Sequence, residues 1–300
     1  MRKFKIFLFV TLISVATHAQ DNSFLIYSFK GNVSVVENNA ETKAKIGKIL
    51  NGNAKIKLAA GSVITMVCNQ AAMFTLNKAG IYSLGQFKDS CINKSSSMTA
   101  NYFRYVWSQL TSHNEGTPGT NRKAFMNTVG AVSRSVNNIW IDPRLDTVNY
   151  SNGEFPLSWK SYADANEFEF SLYKKADAKQ ADYKTAVKKL KISISTFITN
   201  LKPGNTYYWT AAVKGEQNDE LKILNIVSKE NYEALVNNFK NQGPAYESSA
   251  EQSYRIAFML EDAHFLSEAY QYYLKAATSA PDNALYRSTL MSFKKDYEIK

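Results

Sequence analysis

Short runs of alternating apolar and polar residues fill the chain between residues 24 and 87. Residues 54–58 (Ala-Lys-Ile-Lys-Leu) alternate most regularly, and residues 63–67 and 73–76 continue the series. Alternation puts every second side chain on one face of a strand, as a half-buried sheet requires. Glycine and asparagine separate the runs at intervals of about ten residues, which is typical of tight turns. The pattern predicts a compact all-β domain, which we place at residues 20–98.

The apolar spacing becomes helical at residues 99–112, where Tyr102, Phe103, Val106, Trp107 and Leu110 recur. Intervals of three or four residues place these side chains on one face, so the segment is predicted to be an amphipathic helix. A loop rich in glycine and proline follows at residues 114–121, and a second short helical pattern covers residues 124–136. We interpret residues 99–141 as a connector made of helices and loops.

Strand-type alternation returns at about residue 142. The apolar residues of the clearest strand are Phe168, Phe170 and Leu172, and they alternate with Glu167, Glu169 and Ser171. Such a strand has one apolar and one hydrated face, so the glutamates are explained by solvation rather than catalysis. Residues 157–159 predict another strand, which carries a core tryptophan at Trp159. Together these runs predict a β-rich domain at residues 142–217.

The remaining residues, 218–300, are predicted to be helical. Leu221, Ile223, Leu224 and Ile226 are assigned to one helix, and Leu235, Val236 and Phe239 to the next. A helix pair follows, with Ala257 on its first helix and Ala269, Tyr273 and Ala276 on its second. Small residues at these positions let two antiparallel helices approach closely. A closing helix is predicted at residues 283–297.

The first 19 residues have the pattern of a secretory signal peptide. Arg2, Lys3 and Lys5 precede an apolar run at residues 6–16, and small residues surround a cleavage point after Ala19. An apolar run of about eleven residues is too short to span a bilayer. We therefore expect a mature chain that begins near Gln20, is exported to the periplasm or cell envelope, and has no transmembrane segment after cleavage.

The N-terminal domain contains three short motifs, at residues 31–35 (Gly-Asn-Val-Ser-Val), 47–52 (Gly-Lys-Ile-Leu-Asn-Gly) and 79–84 (Ala-Gly-Ile-Tyr-Ser-Leu). These motifs resemble the exported domain of the FecR family of envelope signalling proteins. The membrane helix and cytoplasmic tail by which that family contacts a sigma factor have no counterpart in this sequence. The resemblance therefore implies the β fold and not the regulatory function.

Residues 201–209 (Leu-Lys-Pro-Gly-Asn-Thr-Tyr-Tyr-Trp) resemble the fibronectin type III sandwich. In that fold Leu-x-Pro-Gly precedes a tyrosine whose hydroxyl bonds back to the corner before its strand. Tyr207 has the position of this tyrosine, whereas Asn205 stands where the family often has threonine. The resemblance implies a structural role only, because the sandwich serves many unrelated functions.

The helix pair near the C-terminus resembles a tetratricopeptide repeat (TPR), in which the first helix of each repeat lines a concave groove. Carried onto this sequence, the groove positions are Glu251, Tyr254, Phe258, Glu261 and Asp262. An aromatic pair flanked by acidic residues would hold an extended peptide with basic residues. The alternative is that Tyr254 and Phe258 pack against the neighbouring repeat. Glu261 and Asp262 are predicted to lie in a solvated turn between the helices.

The net charge is +10, and three of the cations belong to the signal peptide, which leaves +7 on the mature chain. The lysines are scattered, so no basic patch marks a docking face. Export argues against nucleic acid as a partner. The two cysteines, Cys68 and Cys91, are consistent with a disulfide in an oxidising compartment, and equally with two small buried hydrophobic residues.

Catalytic motifs are not found in the sequence. The mature chain has two histidines, His113 and His264, which are too few for most metal sites and acid–base centres. It contains no phosphate-binding loop, nucleophile elbow or zinc-protease motif. We therefore expect no catalytic residues, no metal, no cofactor and no enzymatic activity.

The modules together predict a multi-domain protein with an all-β N-terminal domain, a fibronectin type III-like β-sandwich and an α-helical TPR-like C-terminal region. We expect a non-enzymatic adaptor in the envelope of a Gram-negative bacterium of Bacteroidetes type. It would bind another exported protein through the TPR-like groove and a third component through the β domains. The alternative is a carbohydrate or cell-wall binder that uses Trp140, Tyr150 and Trp209, and a second alternative is an envelope hydrolase with a serine nucleophile.

Overall fold

The computed structural model of the chain describes residues 22–70, 72–91, 97–111, 119, 121–126, 138–244 and 246–299. The chain divides into two compact units, residues 1–92 and residues 93–300. The predicted signal peptide and most of the helical pattern at residues 124–136 lie outside the described residues. Within the described ranges, no helix combines the length and apolar character that crossing a membrane requires.

The N-terminal unit is built from short antiparallel strands, which confirms the predicted β-rich region. They are β1 (Ser23–Lys30), β2 (Val33–Glu37), β3 (Ala40–Lys43), β4 (Ile49–Asn51), β5 (Lys55–Leu58), β6 (Val63–Cys68), β7 (Ala72–Leu76) and β8 (Gly80–Ser83). They form two four-stranded sheets with the orders β4-β1-β6-β7 and β3-β2-β5-β8. A 3-10 helix, Leu84–Cys91, follows β8.

The alternating apolar residues of these strands form one core. Phe24, Val35, Ile56 and Met66, from four different strands, are fully buried in it. Cys68 ends β6 inside this core and is joined by a disulfide to Cys91, at the end of the 3-10 helix. The Cα atoms of the two cysteines are 5.2 Å apart. Of the two alternatives for the cysteines, the structure therefore has the disulfide.

The second unit contains a five-stranded sheet of the order β10-β17-β16-β13-β14 and two short strand pairs, β11-β15 and β9-β12. The strands are β9 (Ile139–Trp140), β10 (Thr147–Tyr150), β11 (Pro156–Ser158), β12 (Lys160–Ser161), β13 (Phe168–Tyr173), β14 (Tyr183–Val187), β15 (Lys191–Ser193), β16 (Thr206–Val213) and β17 (Lys222–Ile226). β10 and β17 pair in parallel, and the other pairs are antiparallel.

Large aromatic side chains fill the space between these strands. Phe170 of β13 packs on Phe197 and Trp209, with ring centroids 4.9 and 5.9 Å apart, and all three are fully buried. Trp159 is 2% exposed, as expected for a core tryptophan. The hydroxyl of Tyr207, at the start of β16, accepts a hydrogen bond from the backbone N–H of Lys202 at 2.8 Å.

The helices are α1 (Ser97–Thr111), α2 (Lys229–Asn241), α3 (Ser249–Asp262), α4 (Leu266–Ser279) and α5 (Ala284–Asp296). The helical C-terminal region is thus confirmed from α2 onward, but the helix predicted at residues 221–226 is wrong. That segment is β17, in which Leu224 and Ile226 are buried and alternate with partly exposed residues. Pairing with β10 and β16 on both sides decides in favour of the strand.

Candidate functional site

The predicted groove lies along α3, whose start is fixed by a capping box. The Ser248 hydroxyl accepts from the backbone N–H of Glu251, and the Glu251 carboxylate accepts from the backbone N–H of Ser248 at 2.8 Å. This pair satisfies two backbone donors that the first turn of a helix otherwise leaves open. Glu251 therefore caps the N-terminus of α3.

The predicted aromatic groove residues, Tyr254 and Phe258, are buried beneath α1. Tyr105 of α1 stacks on Phe258 with ring centroids 5.0 Å apart, and its hydroxyl lies 2.7 Å from that of Tyr254. The ring centroid of Tyr102 lies 5.6 Å from that of Phe258, in an edge-on arrangement. Burial raises the pKa of Tyr254 well above its usual value. The groove prediction is wrong in this respect, because the chain's own helix fills the space intended for a peptide.

A buried ionic network continues from these aromatics. Arg122, on the 3-10 turn Arg122–Phe125, is fully buried and donates to Glu261 at 2.9 Å, to Asp296 at 2.8 Å and to the Ser292 hydroxyl at 2.9 Å. Burial alone would lower the pKa of the guanidinium, but the Glu261 carboxylate raises it above its usual value. The ionic network links the connector to α3 and α5.

The sequence predicted a solvated turn at Glu261 and Asp262, but the structure shows otherwise. Both lie in the last turn of α3 with 3% and 4% exposure. The Glu261 carboxylate also accepts hydrogen bonds from the hydroxyls of Tyr273, at 2.9 Å, and Tyr297, at 3.3 Å. Three donors from three segments thus satisfy one buried carboxylate, as burial of a polar group requires.

Two residues of this cluster, Tyr105 and Arg122, were not identified from the sequence. Tyr105 could have been found, because Tyr102, Phe103, Tyr105, Val106 and Trp107 make α1 apolar around most of its circumference, and such a helix is buried. A single arginine in a loop carries no comparable signal. The connector helix is therefore a core element of the helical module and not a spacer.

The aromatic residues proposed for saccharide binding have different environments. Tyr150 and Trp209 are 4% and 0% exposed, so neither offers a binding surface. Trp140 of β9 is partly exposed. His264 lies in the turn between α3 and α4 with a positive φ of 61°, and burial lowers its pKa. His113 lies outside the described residues.

The five-stranded sheet of the second unit and the C-terminal helices meet at Glu268, in the first turn of α4. One oxygen of its carboxylate accepts the backbone N–H groups of Ser151 and Asn152 at 2.6 and 2.8 Å. Ser267 also donates to the Asn152 carbonyl at 2.7 Å. Burial raises the pKa of Glu268 to about 7, although the two backbone donors act in the opposite direction.

Replacement of Glu268 by glutamine should remove part of the pH dependence of stability. The unfolded chain loses the proton near pH 4.5, whereas the folded chain keeps it to about pH 7. The contribution of this group to the free energy of unfolding is therefore fully present below pH 4.5 and is lost as the pH rises through 7. The loss amounts to about 3 kcal/mol. Urea unfolding between pH 5 and pH 8 should show a smaller decline for Glu268→Gln than for the native chain. If the unfolding free energies of the variant and the native chain changed equally with pH, the raised pKa of Glu268 would be contradicted.

The sheet edges of the N-terminal unit differ in how they are protected. β3 carries Glu41, which is paired with Lys57, and β7 is covered by the 3-10 helix through stacking of Phe74 on Phe87 at 4.8 Å. The other two edges, β4 and β8, contain no charged residue. Each presents a large aliphatic side chain to solvent, Ile49 at 47% and Ile81 at 67% exposure.

Within the described part of the chain, no group of three or more histidine, cysteine, aspartate or glutamate side chains is arranged to hold a metal ion. No family model matches the chain, and a search of curated proteins finds no relative of it.

Proposed function

We propose that this chain is a non-enzymatic adaptor of the cell envelope, exported by its N-terminal signal peptide. Its modules would be a FecR-like β domain, a fibronectin type III-like sandwich and a TPR-like helical region. The protein partner would be another exported or envelope protein, bound through an extended segment.

Local contacts support the module assignments. The hydrogen bond from the Lys202 backbone to the Tyr207 hydroxyl has the geometry of a tyrosine corner. Ala257, Ala269 and Ala276 are fully buried, and α3 and α4 are closely packed, as in a repeat hairpin. Tyr273 is also fully buried, in keeping with the aromatic wedge expected there.

The observation that carries the adaptor proposal is the exposure of Ile49 and Ile81 on the edge strands β4 and β8, neither of which contains a charged residue. An edge strand offers unpaired backbone groups, and proteins usually protect such edges with charges or a covering segment. β3 and β7 follow this rule, whereas β4 and β8 carry exposed Ile49 and Ile81 instead. This arrangement suits strand addition, in which a partner's backbone extends a sheet and its apolar side chains contact the isoleucines.

The helical groove is not available for the same purpose. Tyr254 and Phe258 contact α1, and Glu261 is neutralised by Arg122. Opening this groove would expose the aromatic cluster and separate the buried ion pair. The adaptor function is therefore assigned to the β edges, which corrects the docking site expected from the sequence.

Affinity capture from envelope extract with the full mature chain, followed by cross-linking, tests the proposal. We expect one exported protein to be captured and to cross-link within residues 40–90. Ile49→Lys combined with Ile81→Lys should reduce its recovery about tenfold or more, because a lysine on an edge disfavours strand addition. Met291→Lys is the matched control, since Met291 is 64% exposed in the other unit. Equal recovery from the edge variant and the native chain would overturn the proposal.

A further inference from the structure

A small pocket of about 200 Å³ lies between the β9–β12 strand pair and the end of α5. Pockets for drug-sized ligands are typically ~300–1,000 Å³, so this one suits a smaller group. The residues that decide its chemistry are Trp140, Arg144, Trp159, Lys160, Lys295 and Glu298. It lies wholly within the second unit and is separate from the edges assigned to protein binding.

Two buried donors of the pocket residues lack hydrogen-bond partners among the described residues. They are the indole Nε1–H of Trp159, a residue 2% exposed, and Nη1 of Arg144. The other guanidinium nitrogens of Arg144 bond to Asp142, and Nη1 lies 3.8 Å from a carboxylate oxygen of Asp296, which is beyond hydrogen-bond distance. Buried donors are nearly always satisfied in native proteins, so a cluster of two requires an explanation. Oxygen atoms of a bound ligand could accept hydrogen bonds from both donors.

An aromatic surface lies beside these donors. Trp140 is partly exposed, and the Lys160 ammonium lies 5.0 Å from the centroid of its ring. Backbone pairing of Trp140 with Lys160 across β9 and β12 holds the two side chains together. A tryptophan face bordered by polar groups suits a ligand with one apolar face and a polar edge. The C–H face of a sugar ring has this character.

The charges around the pocket determine whether a charged or a neutral saccharide would bind. Lys160 and Lys295 form no ion pair with any described residue, and the Glu298 carboxylate is likewise without one. The other charged lining residues are paired: Arg144 with Asp142, and Asp296 with Arg122 and Lys123. The unpaired charges therefore leave one net positive charge at the mouth of the pocket, which attracts an anion.

We propose that this pocket binds a carboxylate-bearing saccharide, with one acidic sugar unit on Trp140. The sugar carboxylate contacts Lys160 and Lys295, and ring or carboxylate oxygens accept from Arg144 and Trp159. This inference goes beyond the adaptor function and does not depend on it, since the two rest on different units of the chain.

Titration calorimetry of the full mature chain with oligogalacturonate tests the inference, with its methyl ester as the uncharged counterpart. We expect the acid to bind about tenfold more tightly than the ester, because the ester loses the charge-assisted contacts. Lys160→Gln should weaken binding roughly fivefold, and Trp140→Ala more than that. Lys175→Gln, an exposed lysine outside the pocket, should leave binding unchanged.

Three results would overturn the inference. Equal affinity for acid and ester would make the site one for neutral saccharides, and competition by acetate at the same concentration would make it a general anion site. Absence of binding to both forms would remove the saccharide altogether. Circular dichroism of each variant separates loss of binding from loss of folding. None of these results affects capture of a protein through β4 and β8.

Discussion

Replacement of Arg122 by methionine is expected to lower the free energy of unfolding of the second unit by about 3–5 kcal/mol. The substitution leaves the Glu261 carboxylate buried without its cationic partner, and it removes the hydrogen bonds to Ser292 and Asp296. The guanidinium also lies 5.3 Å from the centroid of the Phe293 ring, so packing is lost as well. Urea unfolding followed by far-ultraviolet circular dichroism measures the change.

Lys123→Ala is the control for this experiment. Lys123 is the next residue and pairs with the same Asp296, but its side chain is 32% exposed, so its loss should cost less than about 1 kcal/mol. Adding Glu261→Gln to Arg122→Met should recover part of the loss, because the remaining partner is no longer charged. A double variant whose destabilisation equals the sum of the two single ones would contradict coupling between these residues.

Removal of the Cys68–Cys91 disulfide is expected to lower the stability of the N-terminal unit by about 3 kcal/mol. The cross-link closes a loop with a sequence separation of 23, and its loss increases the entropy of the unfolded chain. For a domain of this size the melting temperature should fall by roughly 12–24 °C. Calorimetry of Cys68→Ala combined with Cys91→Ala in the full chain measures the shift.

The reduced native chain separates the cross-link from the packing. It keeps both sulfur atoms in place, so it should lose almost as much stability as the double alanine variant if the covalent bond is responsible. If the reduced and oxidised chains had the same melting temperature, the alanine variant would be destabilised by the cavity at Cys68, which is fully buried. The melting transition of the second unit should stay unchanged in both samples.

The strands of both units could be predicted because alternation is a local property. Residues 221–226 show the limit of that signal. Apolar residues at 221, 223, 224 and 226 fit a helix face as well as a strand, and pairing with β10 and β16 decides between them. Such pairing involves residues far away in the sequence, which periodicity does not encode.

The candidate groove was wrong for a similar reason. The helix pair itself was predicted, together with the small residues between its helices, but the occupant of its concave face was not. That occupant is α1, at residues 97–111, and Arg122, which lies 139 positions from its partner Glu261. A lone arginine in a loop and a carboxylate near a helix end look solvated in a sequence, because nothing local indicates that they meet. Only the aromatic density of α1 signalled its burial.

The network around Arg122 also sets the order in which the second unit can fold. Its contacts join Arg122 to residues 139 and 174 positions later, and the parallel pairing of β10 with β17 joins residues 76 apart. Contacts of such long range slow folding, because the intervening chain must first be confined. As synthesis proceeds from the N-terminus, the aromatic face of α1 gains its partners Tyr254 and Phe258 with α3, whereas Arg122 gains Ser292 and Asp296 only once α5 has been made. The unit therefore closes late, and a chain cut before α5 should persist only as an open species that proteases recognise.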